Sequence, residues 1–155
     1  MEFILFLSKL DKEILNLLMK ANYIDEENKI ECLLNKEIKG LHNFKENKII
    51  ICTENAKRKT NYKVIKNPLS QKNFKTEKAI RKALRHEATH AIQKCNNDRT
   101  VESEDVLENK IHKAKLKALK FSTSRFGGSY AKELEAYVLE DKPRIVKQLI
   151  KTYCL

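Results

Sequence analysis

The residues best suited to chemistry in this sequence are two histidines, four positions apart, with a glutamate directly after the first. They are His86, Glu87 and His90. On a helix, residues four apart lie on one face, so both imidazoles could bind one Zn²⁺ at about 2.0–2.1 Å. Glu87 would lie about 100° around the helix, where it could take a proton from a water on the metal. The spacing therefore predicts a zinc site with its own general base.

The flanking sequence predicts the helix that this site requires. Ala79 and Ala83 continue the stripe of the two histidines, and a neighbouring stripe is also apolar: Ile80, Leu84, Ala88, Ala91 and Ile92. The histidines should therefore face the packed side of the helix. We expect this helix to run from about Thr76, whose hydroxyl could cap it, to about Cys95. An H-E-x-x-H motif on a helix predicts zinc-dependent hydrolysis of peptide bonds.

A catalytic zinc needs a third protein ligand and an open fourth position. The residue six positions after His90 is Asn96, so a third histidine is absent there. His112 lies in a lysine-rich stretch and is predicted to face solvent. A carboxylate is the better candidate for the third ligand.

The glutamate-rich segment 131–141 supplies that carboxylate. Glu133 shares a helical face with three residues: Ala136, Tyr137 and Glu140. A small alanine would let two helices approach closely, and Tyr137 or Glu140 could hydrogen-bond to the ligands. Glu135 lies on another face, so Glu133 is favoured over Glu135, and both stay open at this stage.

Hydrophobic periodicity predicts the remaining elements. Helices are expected in an N-terminal segment (1–24, periodic over 2–20) and over 102–120, 130–140 and 142–155. Strands are expected where Ile30, Cys32 and Leu34 alternate and at Ile49–Cys52. Residues 54–73 are predicted to be a loop that could include a strand at Tyr62–Ile65, and Phe121–Ser129 a break. The chain should form a single α+β domain over 1–155, mostly helical with a small β-sheet.

Composition restricts the function further. The 155 residues carry a net charge of +11, spread along the chain, and only 7% are aromatic. Nucleic-acid binding is therefore possible but not favoured over a solvated basic surface. The N-terminus lacks the features of a signal peptide, and no stretch approaches the length of a transmembrane span, which predicts a cytoplasmic protein. In that compartment the four cysteines would by default be free thiols.

Three segments together resemble the Atp23-like zinc metallopeptidase family. Its pattern combines a strand ending in I-x-x-C-x-N, a helix with L-x-H-E-x-x-H-A followed by a cysteine, and a later E-I-R-A. The matching segments here are Ile49–Asn55, Leu84–Ala91 with Cys95, and Glu133–Ala136. The resemblance implies a zincin-like, specifically gluzincin-like, fold with the sheet packed against the active-site helix.

The resemblance also implies a role for individual residues. It assigns zinc to His86, His90 and Glu133, and catalysis to Glu87. It suggests that Cys52 and Cys95 are close in space, which leaves a disulfide between them open. In zincin folds a strand beside the active-site helix can pair with an extended peptide substrate, so Ile49, Ile50 and Ile51 form a possible substrate strand.

One part of the predicted mechanism stays unassigned, and two alternatives to it remain. An oxyanion needs a further donor, and the candidates are Tyr130, Tyr137, His112 and Arg125. One alternative is a basic, nucleic-acid-associated protein with a structural zinc. The other is a catalytically inactive zincin-like interaction module, against which the glutamate at position 87 argues, because a structural site needs no base.

Overall fold

The computed structural model describes residues 1–64, 73–126 and 129–155, without the side chains of residues 122 and 124–126. After a 3₁₀-helix (Glu2–Phe6) come α1 (Lys9–Lys20), β1 (Ile24–Glu27), α2 (Ile30–Leu34), β2 (Gly40–Asn43), β3 (Lys48–Ile51) and α3 (Thr53–Lys59). The second half contains α4 (Phe74–Cys95), α5 (Glu104–Lys110), α6 (Lys113–Phe126), α7 (Tyr130–Leu139) and α8 (Pro143–Tyr153). The α+β class, mostly helical with a small sheet, is confirmed.

The sheet has three strands in the order β1-β3-β2. β3 pairs with β1 in parallel and with β2 in antiparallel orientation. Because side chains alternate along a strand, Ile49 and Ile51 point into the main core, whereas Ile50 packs on the other side with Cys32 and Cys52. The sheet is therefore covered on both faces.

Helix α4 is the central element of the fold. It packs against α1, α7, α8 and the strands β2 and β3. Its apolar stripe is fully buried: Ile80, Leu84, Ala88, Ala91 and Ile92. One face of α4 thus anchors the domain core, while the adjacent face is shared between α7 and β2.

Several predicted elements are confirmed. The strand predicted at Ile49–Cys52 is β3, ending at Ile51. The predicted helices at 130–140 and 142–155 are α7 and α8, and Pro143 occupies the first turn of α8, where the missing N–H costs nothing. Helix α4 matches the predicted active-site helix and ends at Cys95.

The prediction of one continuous N-terminal helix was wrong, because this segment forms a 3₁₀-helix and a separate α-helix. Ser8 interrupts residues 2–20 because its hydroxyl accepts from Asp11 N at 3.2 Å and its own N–H donates to the Asp11 carboxylate at 3.2 Å. This capping box starts a new helix. Thr76 does not cap α4 either, since it lies inside the helix and its hydroxyl pairs with that of Thr60 at 2.5 Å.

The predictions for two middle segments also need correction. Ile30–Leu34 is a short helix, with only Cys32 buried, because three alternating residues are too few to distinguish a strand from one helical turn. Thr53–Lys59 is helical where a loop was expected, and Tyr62–Val64 is not a strand; Ile65 lies outside the described residues.

The helix predicted over 102–120 is in fact two helices. Ile111 is extended between α5 and α6. α6 continues to Phe126, so the predicted break does not begin at Phe121, and Gly127-Gly128 lie outside the described residues.

All four cysteines are in disulfides, so the prediction of free thiols was wrong. The bonds are Cys32–Cys52 and Cys95–Cys154, and the pairing of Cys52 with Cys95 is also wrong. Cys95 instead ties the end of α4 to the end of α8. Disulfides are typical of oxidising environments, which weighs against the cytoplasmic prediction.

Among the described residues, none of the helices combines the length and the apolar character that crossing a membrane requires.

Candidate metal centre

Two helices bring the three predicted ligands together. His86 Nε2 lies 3.1 Å from Glu133 Oε2, and His90 Nε2 lies 3.0 Å from Glu133 Oε1. One ligand atom from each residue falls within 4.8 Å of the others. Ala136 is fully buried where α7 meets α4, and its small side chain permits this close approach. Side chains from α4 and α7 therefore meet at one point.

The position of Glu133 depends on how α7 begins. Ser129 caps the helix, because its hydroxyl accepts from Lys132 N at 3.5 Å. Glu133 is the acidic residue of the first turn, where the helix dipole favours a negative charge. Its carboxylate is thus directed at the two imidazoles from the N-terminal end of α7.

The imidazole of His86 is held by a second carboxylate. His86 Nδ1 lies 3.3 Å from Glu140 Oε2, and Lys115 Nζ lies 3.0 Å from Glu140 Oε1. The Tyr137 ring packs edge-on against His86 at 4.8 Å between centroids. Glu140 and Tyr137 thus occupy the supporting positions suggested by the helical face of Glu133.

His90 is oriented by a residue that the sequence analysis missed, Gln93. His90 Nδ1 lies 2.9 Å from Gln93 Oε1, and Gln93 Nε2 donates to Glu135 Oε1 at 3.1 Å. Glu135 also accepts from Val101 N and Glu102 N, each at 2.9 Å. The signal was present, since Gln93 follows His90 by three residues on the same helix.

These hydrogen bonds also separate the two candidate third ligands. The buried carboxylate of Glu135 faces the turn after α4 and hydrogen-bonds there. The carboxylate of Glu133, by contrast, contacts both His86 and His90. The structure therefore brings together His86, His90 and Glu133, and assigns Glu135 a supporting place behind Gln93.

The protein environment shifts the protonation of this cluster when no metal is bound. Burial lowers the pKa of His86, but its hydrogen bonds to Glu133 and Glu140 outweigh this and raise the pKa to about 10. The pKa of His90 is also raised, because the bond to Glu133 outweighs burial. The same bonds hold the pKa of Glu133 below its usual range despite burial. A metal would have to displace protons from the histidines.

The donor set fits zinc. Two imidazole nitrogens and one carboxylate oxygen are the ligands of many catalytic zinc sites, and they leave a fourth position open. Tetrahedral ligands at about 2.0–2.1 Å from the metal stand about 3.3 Å apart. Each histidine lies close to that spacing from one of the two Glu133 oxygens, at 3.1 Å and 3.0 Å, and one ligand atom from each residue lies within 4.8 Å of the others. His86, His90 and Glu133 could therefore hold the ion after shifts of their side chains.

Glu87 lies in a cleft that opens beside these ligands. The cleft has a volume of about 660 Å³ and is lined by residues of α4, α7 and β2. Glu87 is 7% exposed, and burial raises its pKa even though His86 and His90 act in the opposite direction. A Cβ on Gly40 would lie 2.9 Å from Glu87 Cγ. Only glycine leaves the glutamate room at that position.

The strand next to the cleft is β2 and not β3. β3 is the central strand, and both of its edges are already paired. The prediction of Ile49, Ile50 and Ile51 as a substrate strand was therefore wrong, because a peptide cannot pair with a strand whose two edges are occupied. Gly40 and His42 of β2 line the cleft instead.

His42 is a further cleft residue that sequence reasoning missed. Its ring stacks on that of His90 at 6.4 Å between centroids and also contacts Tyr23. Burial, helped by His90 and Lys94, lowers the pKa of His42 to about 4. Within the described part of the chain, its buried Nε2 has no hydrogen-bond partner. His42 is thus a neutral imidazole beside the candidate ligands.

The candidate oxyanion donors are separated by the fold. Tyr137 lines the cleft. Tyr130 donates to Glu108 at 3.5 Å, and His112 is exposed between α5 and α6; neither is among the described residues that line the cleft. The side chain of Arg125 lies outside the described residues.

Comparison with known proteins identifies the family but not an activity. The chain belongs to a family described as a domain of unknown function, DUF8637, whose model matches residues 3–155. The search of curated proteins gave no match. The search of solved structures gave none either.

Proposed function

We propose that this protein is a zinc-dependent metalloendopeptidase with a zincin-like, Atp23-like active site. One observation carries the proposal: His86, His90 and Glu133 converge on one point beside a buried Glu87, at the wall of an open cleft. A purely structural zinc site would be closed by a fourth protein ligand and would have no use for an adjacent base. The proposed peptidase uses every member of this cluster.

Each residue has a separate task in the proposed reaction. His86, His90 and Glu133 would hold the zinc, which when bound polarises a carbonyl and acidifies water. Glu87 accepts the proton of the attacking water and returns it to the leaving amine. Burial raises the pKa of Glu87, which makes its carboxylate a stronger base toward the attacking water. Gln93 and Glu140 keep the imidazoles oriented.

Strand β2 is the proposed docking edge for the substrate. It is the edge strand next to β3, and its residues Gly40 and His42 face the cleft. An extended peptide can add to an exposed sheet edge through main-chain hydrogen bonds. A peptide on β2 would pass beside Glu87, because Gly40 approaches that side chain directly.

The likeness to the Atp23-like family is part of the proposal and has a limit. The cysteine pairing that it implied differs here, since Cys52 bonds to Cys32 and Cys95 to Cys154. The proposal therefore draws on the ligand and base positions, and draws nothing from the cysteines.

The test is hydrolysis of an unfolded protein such as casein by wild type and Glu87→Gln. The variant should lose about 10²–10⁴-fold in rate and keep its zinc, since Glu87 is not a ligand. Glu77→Gln is the matched control, with the same chemical change on α4 outside the cleft residues. A chelator should abolish the wild-type activity and added zinc restore it.

The other outcomes identify the alternatives. Equal hydrolysis by wild type and Glu87→Gln would contradict the proposed base. Zinc without hydrolysis of any substrate would favour the inactive zincin-like module. Absence of zinc, with nucleic-acid binding that weakens steeply as salt rises, would favour the basic binding protein.

A further inference from the structure

The charged side chains around the cleft are almost all paired with one another. The described pairs are Glu37 with Lys59, Lys82 with Asp141, Glu140 with Lys115, and Glu133 with the two histidines. Among the described lysines that line the cleft, Lys59 and Lys82 are paired, whereas the ammonium of Lys39 has no ion pair or hydrogen bond. Lys39 nevertheless lines the cleft and is half-buried.

The backbone at Lys39 is firmly positioned. Its carbonyl accepts a hydrogen bond from Cys52 N at 2.9 Å, and the side-chain amide of Asn55 donates to the carbonyl of Ile38 at 2.9 Å. Cys52 is further tied to Cys32 by a disulfide. The ammonium therefore extends from a fixed point at the start of β2, and its place at the cleft does not depend on a free loop.

The surroundings leave this ammonium in need of a negative partner. Burial lowers the pKa of Lys39, and Lys59 and Lys82 lower it further, while Glu140 and Glu37 act against them from outside ion-pair distance. A partly buried charge without a partner costs free energy. A carboxylate that entered the cleft would reduce this cost, whereas a second cation would increase it.

Position along the cleft tells where this carboxylate would lie. Gly40 contacts Glu87, and His42 stacks on His90, so β2 runs in the same direction as α4. Lys39 precedes Gly40 and thus lies toward the N-terminal half of α4, where Ala79 and Lys82 also line the cleft. A peptide residue spans about 3.3 Å along a strand, so Lys39 can reach a group within about two residues of the bond beside Glu87.

We propose that Lys39 forms a carboxylate-binding subsite that selects acidic peptides at this end of the cleft. The inference rests on the proposed function in taking a peptide as the ligand. The carboxylate could belong to an acidic side chain or to the C-terminus of the peptide, and the experiment below distinguishes these sources.

Binding is measured first on Glu87→Gln, which should hydrolyse a bound peptide about 10²–10⁴-fold more slowly than wild type. Fluorescence anisotropy compares peptides that carry Glu or Gln at successive positions, each with a free or an amidated C-terminus. The Glu peptide should bind about tenfold more tightly than its Gln partner, and this ratio should fall to about one when Lys39→Met is added. Lys20→Met, an exposed residue of α1, removes the same charge elsewhere and should keep the ratio.

The outcomes separate this proposal from the proposed function. Equal binding of Glu and Gln peptides with free or amidated ends, no peptide binding at all, or a ratio unchanged by Lys39→Met would overturn the subsite. If only amidation weakens binding, the carboxylate is the peptide terminus; if only Glu→Gln does, it is a side chain. If wild type binds acidic peptides through Lys39 but hydrolyses none of them, the carboxylate-binding subsite is supported and the peptidase proposal is contradicted. If wild type hydrolyses peptides without any preference for acidic ones, the peptidase proposal is supported and the subsite is contradicted.

Discussion

The two walls of the cleft are built on different principles. The helical wall consists of α4 and α7, and its chemistry resides in side chains: His86, His90 and Glu133 contact one another and are each part of a longer hydrogen-bonded chain. The strand wall consists of β2 and the preceding residues 35–39, and it contributes mainly shape. Gly40 gives Glu87 its space because it has no side chain.

A buried polar residue stabilises the backbone of each wall, by accepting hydrogen bonds in the helical wall and by donating them in the strand wall. Glu135 accepts backbone hydrogen bonds from Val101 and Glu102 and fixes Gln93. Asn55 donates its amide to the carbonyls of Cys32, Asn35 and Ile38. We infer from this comparison that the helical wall binds the metal ion and transfers the proton, while the strand wall determines where a substrate can lie.

The largest expected effect is the loss of the buried carboxylate in the helical wall. Glu135→Ala leaves Val101 N, Glu102 N and the Gln93 amide without their charged acceptor, and should lower the free energy of unfolding by about 3 kcal/mol or more. Asn55→Ala leaves carbonyl groups unpaired, which proteins tolerate better, and should cost about 1–3 kcal/mol. Urea unfolding of both metal-free variants measures this. A larger decrease in the free energy of unfolding for Asn55→Ala than for Glu135→Ala would contradict this ranking of the two walls.

The second prediction concerns the contact between the two walls. Gly40→Ala should push Glu87 from its position and lower kcat by about 100-fold, with the zinc retained. Adding Gly40→Ala to Glu87→Gln should then have little further effect, because both changes remove the same group. Additive losses in this double-mutant cycle would mean that Gly40 acts in some other way, such as peptide docking.

The helical wall was predictable from sequence to a greater extent than the strand wall. Spacings of three and four residues place His86 with His90 and mark the face of Glu133, and these depend only on local helix geometry. The structure also brings the predicted third ligand to the histidines, while its metal stays a proposal. Gln93 was readable from the same spacing, but its partner Glu135, 42 residues later, was not.

The strand wall depends on contacts that no local pattern encodes. β2 carries only one strongly apolar residue, Leu41, so its sequence Gly40–Asn43 reads as a turn. It becomes a strand because β3 pairs with it and because Asn55 and the Cys32–Cys52 bond hold the segment before it. Choosing β3 as the substrate strand was an error of topology, since strand order cannot be derived from hydrophobicity alone.

The third prediction tests how the helical wall orients its ligands. Gln93→Leu removes the acceptor for His90 Nδ1 and should weaken zinc binding by about 10–100-fold. Glu140→Gln keeps an acceptor for His86 while removing a charge, so its loss should be smaller. Competition with a fluorescent zinc chelator gives both affinities. Unchanged affinity in Gln93→Leu would show that His90 needs no such support.

The fourth prediction uses the pH dependence of stability to distinguish the helical wall from the strand wall. His86 in the metal-free protein has a pKa of about 10, above its usual 6.5, so its stabilisation is complete below about pH 6.5 and is lost as the pH rises toward 10. His42 has a pKa of about 4, below 6.5, so its stabilisation is present above about pH 6.5 and is lost as the pH falls toward 4. Thermal unfolding should therefore show an alkaline loss that is smaller in His86→Ala, where only His90 keeps a raised pKa, and an acid loss that is smaller in His42→Phe.

As the pH rises, zinc affinity should increase while the stability of the metal-free protein decreases. It should rise by about tenfold or more per pH unit between pH 6 and 8, because each histidine must lose a proton to bind the metal. An affinity independent of pH would contradict the protonated cluster.

The most direct test of the central claim is the zinc content of purified protein, measured by mass spectrometry under non-chelating conditions. We expect one zinc per chain in wild type and in Glu87→Gln, and none in His86→Ala or Glu133→Gln. Glu135→Gln should keep its zinc, because Glu135 supports the site through Gln93 and is not a ligand. Wild type without zinc, or Glu133→Gln with a full complement, would contradict the metal centre proposed at the junction of α4 and α7.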